Sequence, residues 1–183
     1  MPKPKAREAP DTSDRLRRAL WTLVWLLLYR PTPRPLHAWR RFLLRCFGAR
    51  IGGGAHPYAG AWVWAPWNLE MGPRSCLSDG VDCYSVDKVT LGADSVVSQR
   101  ASLCTASHDP NDPAFPLVTA PILVAEGAWV AAEAFVGPGV TVGARAVVAA
   151  RSVTVKDVAP GDIVAGNPAQ VKGRRGGGDE GRP

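Results

Sequence analysis

Three histidines, His37, His56 and His108, and four cysteines are the side chains of this 183-residue sequence best suited to proton transfer or nucleophilic attack. His108 stands in Ser107-His108-Asp109, just ahead of residues 109–121, which contain Pro110, Pro113, Pro116 and Pro121. Prolines remove backbone donors and fix torsions, so this stretch reads as a projecting loop with a histidine at its root. An imidazole that titrates near neutrality can take the proton of a hydroxyl while the oxygen attacks an electrophile. A lone histidine ordinarily does no more than bond its own loop; at a corner beside a projecting wall, His108 is read instead as a catalytic base. Cys46, Cys76, Cys83 and Cys104 form neither a Cys-x-x-Cys pair nor a zinc spacing, and read as free thiols of a cytoplasmic protein.

A base is useful only on a rigid frame, and the frame shows in the spacing of the valines. Val124, Val130, Val136, Val142 and Val148 recur every sixth residue, with Ala128, Ala134, Ala146 and Ser152 four positions later. A period of six fits neither a 3.6-residue helix nor ordinary paired strands, but it fits a chain bent at fixed intervals into stacked coils. Each hexad supplies one short flat face whose aliphatic residue points inward, and three hexads close a triangular coil about 4.8 Å below the next. Met71, Leu77 and Cys83 keep the step upstream, and Leu91, Val97 and Leu103 resume it after a two-residue offset. The expected fold is mainly β, a parallel β-helix over residues 51–171 of roughly six to seven coils, with a helical segment in front.

Charge is divided along the chain. Residues 1–50 carry 12 Lys and Arg against 3 Asp and Glu, residues 51–171 carry 6 against 11, and residues 172–183 carry 4 against 2. A nucleic-acid binder places its basic stripe on the folded body; here the body is acidic, so nucleic acid is not an expected partner. Residues 1–12 read as a disordered tail and residues 172–183 as a basic flexible one. Between them, residues 13–50 form two basic amphipathic helices. The first is capped by Thr12 or Ser13, runs to about Tyr29 and is stopped by Pro31, Pro33 and Pro35; the second spans residues 36–47. In the second, Leu36, Trp39, Leu43 and Phe47 share one face and Arg40, Arg41 and Arg45 lie largely off it. The apolar run from Trp21 to Tyr29 is too short to cross a membrane and offers no signal-peptide cleavage site. Two readings are open: the helices lie on an anionic membrane surface, or they pack on the column or a neighbouring subunit.

The sequence resembles the hexapeptide-repeat acyltransferases of the left-handed β-helix type, and most closely the colanic-acid-type exopolysaccharide acetyltransferases. The stretches that carry the resemblance are Ala65-Pro66-Trp67-Asn68-Leu69, Leu103-Cys104-Thr105-Ala106-Ser107-His108-Asp109, residues 128–140, and the closing Gly166-Asn167-Pro168-Ala169. It covers roughly residues 16–175 and supplies the coil's left hand, which the usual crossover rule would not. It implies a homotrimer with acetyl-CoA in a groove between adjacent columns, and transfer to an acceptor hydroxyl with His108 as general base and no covalent intermediate. Ala132 and Ala150 match small groove positions beside the pantetheine arm, and Lys156 matches a lysine near the CoA phosphates. Asp87 matches an acidic residue of the acceptor site, although it could equally cap a turn. Trp129 either walls the same site or packs in a hexad corner. Gln170 stands where relatives carry a basic residue, with Lys172, Arg174 and Arg175 close by.

Other classes share the fold. A β-helix carbonic anhydrase needs three zinc-bound histidines, and the body has only His56 and His108, so no metal is expected. A non-enzymatic trimeric scaffold tethered by its helices, or an acetyltransferase for a small non-sugar acceptor, are the alternatives to a sugar O-acetyltransferase. The expected location is cytoplasmic, with residues 13–50 able to bring the protein to the inner face of the membrane.

Overall fold

The computed structural model describes residues 5, 6 and 12–176. The expectations for residues 1–4, 7–11 and 177–183 therefore lie outside the described residues.

Each hexad becomes a two- or three-residue strand, and strands one coil apart pair in parallel to form three faces of a prism. Face I holds Arg50–Ile51, Leu69–Met71, Val89–Leu91, Ile122–Val124 and Thr141–Val142. Face II holds His56–Pro57, Cys76–Leu77, Val96–Val97, Trp129–Val130, Val147–Val148 and Asp162–Gly166, and face III holds Trp62–Val63, Asp82–Tyr84, Ser102–Cys104, Phe135–Val136 and Val153–Thr154. Register follows the hexad: Met71 pairs Leu91, Val124 pairs Val142, Val130 pairs Val148, and Leu103 lies between Cys83 and Val136. All five valines of the repeat are 0% exposed, as are Leu77, Cys83, Val97 and Leu103, so the core is one continuous column. At about 1.5–3 kcal/mol for each fully buried aliphatic side chain, this column is the main driving force of the fold. Gly72 shows how tightly the coils stack: a Cβ there would meet the backbone nitrogen of Ala93 at 2.6 Å.

The first coil has no coil beneath it. Its amides donate upward, for example Gly52 N–H to the carbonyl of Met71, which leaves its carbonyls facing the open end. An unpaired buried carbonyl costs about as much as a lost hydrogen bond, and the helices supply the missing donors. Helix α1 (Thr12–Val24) continues into one π-helical turn, Trp25–Tyr29, and is followed by helix α2 (His37–Cys46). Trp21 Nε1 donates to Val63 O at 2.7 Å and Trp25 Nε1 to Ala61 O at 2.9 Å. Arg40 Nε donates to Pro57 O at 2.7 Å, Arg41 Nη1 to Ala55 O at 2.8 Å and Arg45 Nη2 to Ile51 O at 2.6 Å. The helices thus pack on the column.

This corrects the expected facing of α2. Arg40, Leu43 and Leu44 are the buried residues, Leu36 and Trp39 are exposed, and Arg40 is 0% exposed. The surface that α2 covers includes a row of carbonyls, so it must present donors there beside the buried Leu43 and Leu44. Two short segments reaching into the expected tails are strands among the described residues. Lys5–Ala6 is a short strand antiparallel to Val118–Thr119, and Ala169–Arg174 folds back on Asp162–Gly166, so the ordered body extends past residue 171.

Candidate active site

The site is rooted where the third coil is interrupted. After Ser102–Cys104 the chain leaves face III, and Ala106–His108 pairs antiparallel with Leu117–Thr119, so the proline-rich stretch is the outer part of a β-hairpin on the III/I edge. Its tip is tied locally: Asp109 Oδ1 accepts Asn111 N–H at 2.9 Å, and Asp112 Oδ1 accepts Ala114 N–H at 2.9 Å. His108 is exposed at the root. Its Nδ1 lies 2.8 Å from the carbonyl oxygen of Phe115, and its ring stacks on the Phe115 ring with centroids 4.4 Å apart and planes 2° from parallel. A carbonyl only accepts, so Nδ1 carries the hydrogen, and in the neutral ring Nε2 holds the lone pair. That is the tautomer a general base needs. Phe115 is not legible in the sequence because, beside its ring, it contributes a backbone oxygen and a positive φ of 45°, neither of which residue type announces.

Five of the six expected site residues fall on two edges of the prism, and Trp129 lies on a face. Asp87, His108 and Lys156 occupy the III/I edge. Asp87 sits one coil below the histidine, where its N–H donates to Thr105 Oγ1 at 2.9 Å and its carboxylate accepts Lys88 N–H at 2.7 Å. It lines a cavity of about 300 Å³ with Trp67, Asn68, Glu70 and Lys88. The Lys88 ammonium, 2.9 Å from Glu70 Oε1, is the largest influence holding the Glu70 carboxyl below its usual range. Lys156 is exposed on the same edge, two coils above the histidine, which is about 10 Å along the axis.

Ala132 and Ala150 lie on another edge, II/III, one coil apart, where Arg151 N–H donates to Ala132 O at 3.0 Å. Neither projects more than a methyl group. They are flanked by a charged ladder: Glu133 accepts from Arg100 Nε at 3.0 Å and from Arg151 Nε at 2.6 Å, and these arginines, Arg151 foremost, keep its carboxyl below the ordinary range. Trp129 is on the flat of face II, not in a corner. It is 43% exposed, donates to Ser98 Oγ at 2.8 Å and walls a cleft of about 340 Å³ with Asp94, Val96, Gly127 and Arg175. Within one chain Trp129 and Asp87 therefore do not share a site. Among the described residues no group of three or more His, Cys, Asp or Glu side chains is placed to hold a metal ion.

The same fold is found in solved structures. The chain superposes on a hexapeptide-repeat-containing acetyltransferase from Vibrio cholerae in complex with acetyl coenzyme A, with a TM-score of 0.80, 22% identity and 91% of each chain covered. It superposes on a galactoside acetyltransferase in complex with coenzyme A with a TM-score of 0.77 and 19% identity, over 93% of this chain and 86% of that one. No family model matches the sequence. The chain belongs to the hexapeptide-repeat acetyltransferases, acyltransferases that depend on acetyl-CoA. Within them it is 40% identical over 152 residues to the colanic acid biosynthesis acetyltransferase WcaF of Escherichia coli (strain K12), covering 83% of this chain and 84% of that protein. It is also 32% identical over 155 residues to nodulation protein L of Rhizobium meliloti (strain 1021), covering 82% and 84%.

Proposed function

We propose that the protein is a cytoplasmic O-acetyltransferase that moves acetyl from acetyl-CoA to a hydroxyl of a sugar in an exopolysaccharide precursor. The observation that carries this reading is the His108 clamp, which in the neutral ring leaves the lone pair on Nε2, at the foot of a projecting wall. The acceptor hydroxyl gives its proton to Nε2 as its oxygen attacks the thioester carbonyl. The tetrahedral oxyanion collapses, the C–S bond breaks, and the departing CoA sulfur takes the proton back from the imidazolium. No residue is acylated. The cavity beside Asp87 offers carboxylate, amide and ammonium groups to a polyhydroxylated acceptor. The relative named for colanic acid biosynthesis supports a sugar of that kind, and four free cysteines support a reducing compartment.

In this reading the working unit is a homotrimer. The base and the acceptor cavity are on the III/I edge, while the small residues Ala132 and Ala150 are on the II/III edge. A groove between adjacent columns unites the two sets, with the pantetheine arm passing the alanines and Lys156 near the CoA phosphates. The test is an acceptor screen with acetyl-CoA across nucleotide sugars, simple glycosides and lipid-linked oligosaccharides, reading released thiol. The parent should turn over a sugar acceptor, and His108→Ala should lose about 10²–10⁴-fold in kcat/KM. A His108→Ala variant as active as the parent would remove the proposed base, and failure to bind CoA in calorimetry would favour a scaffold.

A further inference from the structure

The N-terminal helices use one side on the column and leave the other bare. Opposite Trp21 and Trp25, residues Leu16, Leu20, Leu23 and Leu27 recur at steps of four, three and four and are 53–72% exposed. At the end of this stripe Trp39 Nε1 donates to Leu28 O at 2.9 Å, and the Trp39 ring stacks on Phe42 with centroids 5.5 Å apart. Leu28, Trp39 and Phe42 are themselves 40–52% exposed. Nine of the fourteen large apolar side chains exposed among the described residues lie between residues 16 and 42. They form a patch and not the usual scatter, which marks a surface meant to be covered.

Charge selects the occupant. Residues 12–50 carry nine arginines and one acid, Asp14. Several arginines are engaged by the first coil, but Arg15, Arg30 and Arg34 are exposed and form no ion pair among the described residues. A second copy would present an equally positive face, and like charges oppose that contact. A nucleic acid would satisfy the arginines and leave the leucines wet. An anionic bilayer offers headgroups to the first and acyl chains to the second, and a tryptophan whose N–H is already bonded suits the boundary between them. No helix among the described residues is long and apolar enough to cross a membrane. We infer that this face seats the protein on an anionic lipid surface, with α1 lying in the plane of the interface. The inference rests on the helices alone and is independent of the acceptor's identity.

Flotation of the full chain with vesicles of phosphatidylcholine, with or without phosphatidylglycerol, tests it. The parent should float about tenfold more with the anionic vesicles. The triple variant Leu20→Gln, Leu23→Gln, Leu27→Gln should stay at the bottom, and Arg15→Gln, Arg30→Gln, Arg34→Gln should fall to the level seen with phosphatidylcholine alone. Both variants should keep parental circular dichroism and acetyl transfer to a soluble acceptor, which separates a lost surface from a lost fold or enzyme. Equal flotation of the parent and the leucine variant overturns the inference. So does light scattering in which the leucine variant splits the parental assembly, because the face would then join copies of the chain.

Discussion

His108 is held twice by one residue: Phe115 supplies both the carbonyl that fixes its tautomer and the ring that fixes its plane. The first contact survives substitution at Phe115 and the second does not. An aromatic stack contributes about 0.5–1.5 kcal/mol, so Phe115→Ala should lower kcat by about 2–12-fold with KM for acetyl-CoA unchanged. Steady-state kinetics decide this; a change confined to KM would mean that the ring holds substrate and not the base.

Ala150 is exposed on the II/III edge, so a large residue there can fill space outside the column without disturbing the core. Ala150→Trp should raise KM for acetyl-CoA by about tenfold or more by blocking the path of the thin arm. Co-expressed with His108→Ala, it should restore activity to about a quarter of the parental level, the share of interfaces that draw an intact half from each copy in a random closed assembly. Absence of any recovery in mixed oligomers would place both halves in one chain.

Arg40 is a buried cation that forms no ion pair among the described residues. It is held by the carbonyls of Pro57, Pro33 and Arg34 and by Thr32 Oγ1 at 2.6–3.0 Å, and burial pulls its pKa below the ordinary value. Arg40→Met keeps much of the volume and strands those acceptors. It should cost about 2–3 kcal/mol, the scale of hydrogen bonds to a charged group. Urea unfolding measures it, and a variant as stable as the parent would show that water satisfies the carbonyls equally well.

Cys83 points into the column, and burial pushes its thiol up to about 12. At pH 8 iodoacetamide should label the exposed Cys46 and leave Cys83 untouched until the protein is unfolded. A thiol whose folded pKa is raised adds stability that is full below its unfolded value and declines as pH climbs. For Cys83 that decline should run from about pH 9 towards pH 12, and should be smaller in Cys83→Ala once the variant's lower baseline is subtracted. Peptide mapping by mass spectrometry after timed labelling reads the first outcome, and alkaline denaturation reads the second.

The column was legible because an inward position repeated every six residues leaves little choice of architecture: Val124 to Val148 all point to the axis. His108 was legible as the place where that repetition stops. The facing of α2 was not, because helix patterning assumes an apolar surface to cover, whereas α2 covers a strand edge that asks for donors. The separation of the expected site residues onto two edges was also hidden. Trp129 reads as a wall of the Asp87 site, yet a coil carries every hexad round a corner, which leaves Trp129 on face II and Asp87 on the III/I edge. Half of the Phe115 clamp is made by a main-chain oxygen, which the residue pattern does not record.

Stacked coils have no natural length; whatever donors meet the last row of carbonyls can extend it. Here Trp21, Trp25, Arg40, Arg41 and Arg45 occupy that row. They therefore set where the molecule ends. A chain shortened past residue 48 would be an unfinished fibre end and not a smaller enzyme, open to the strands of any other chain that offers free amides.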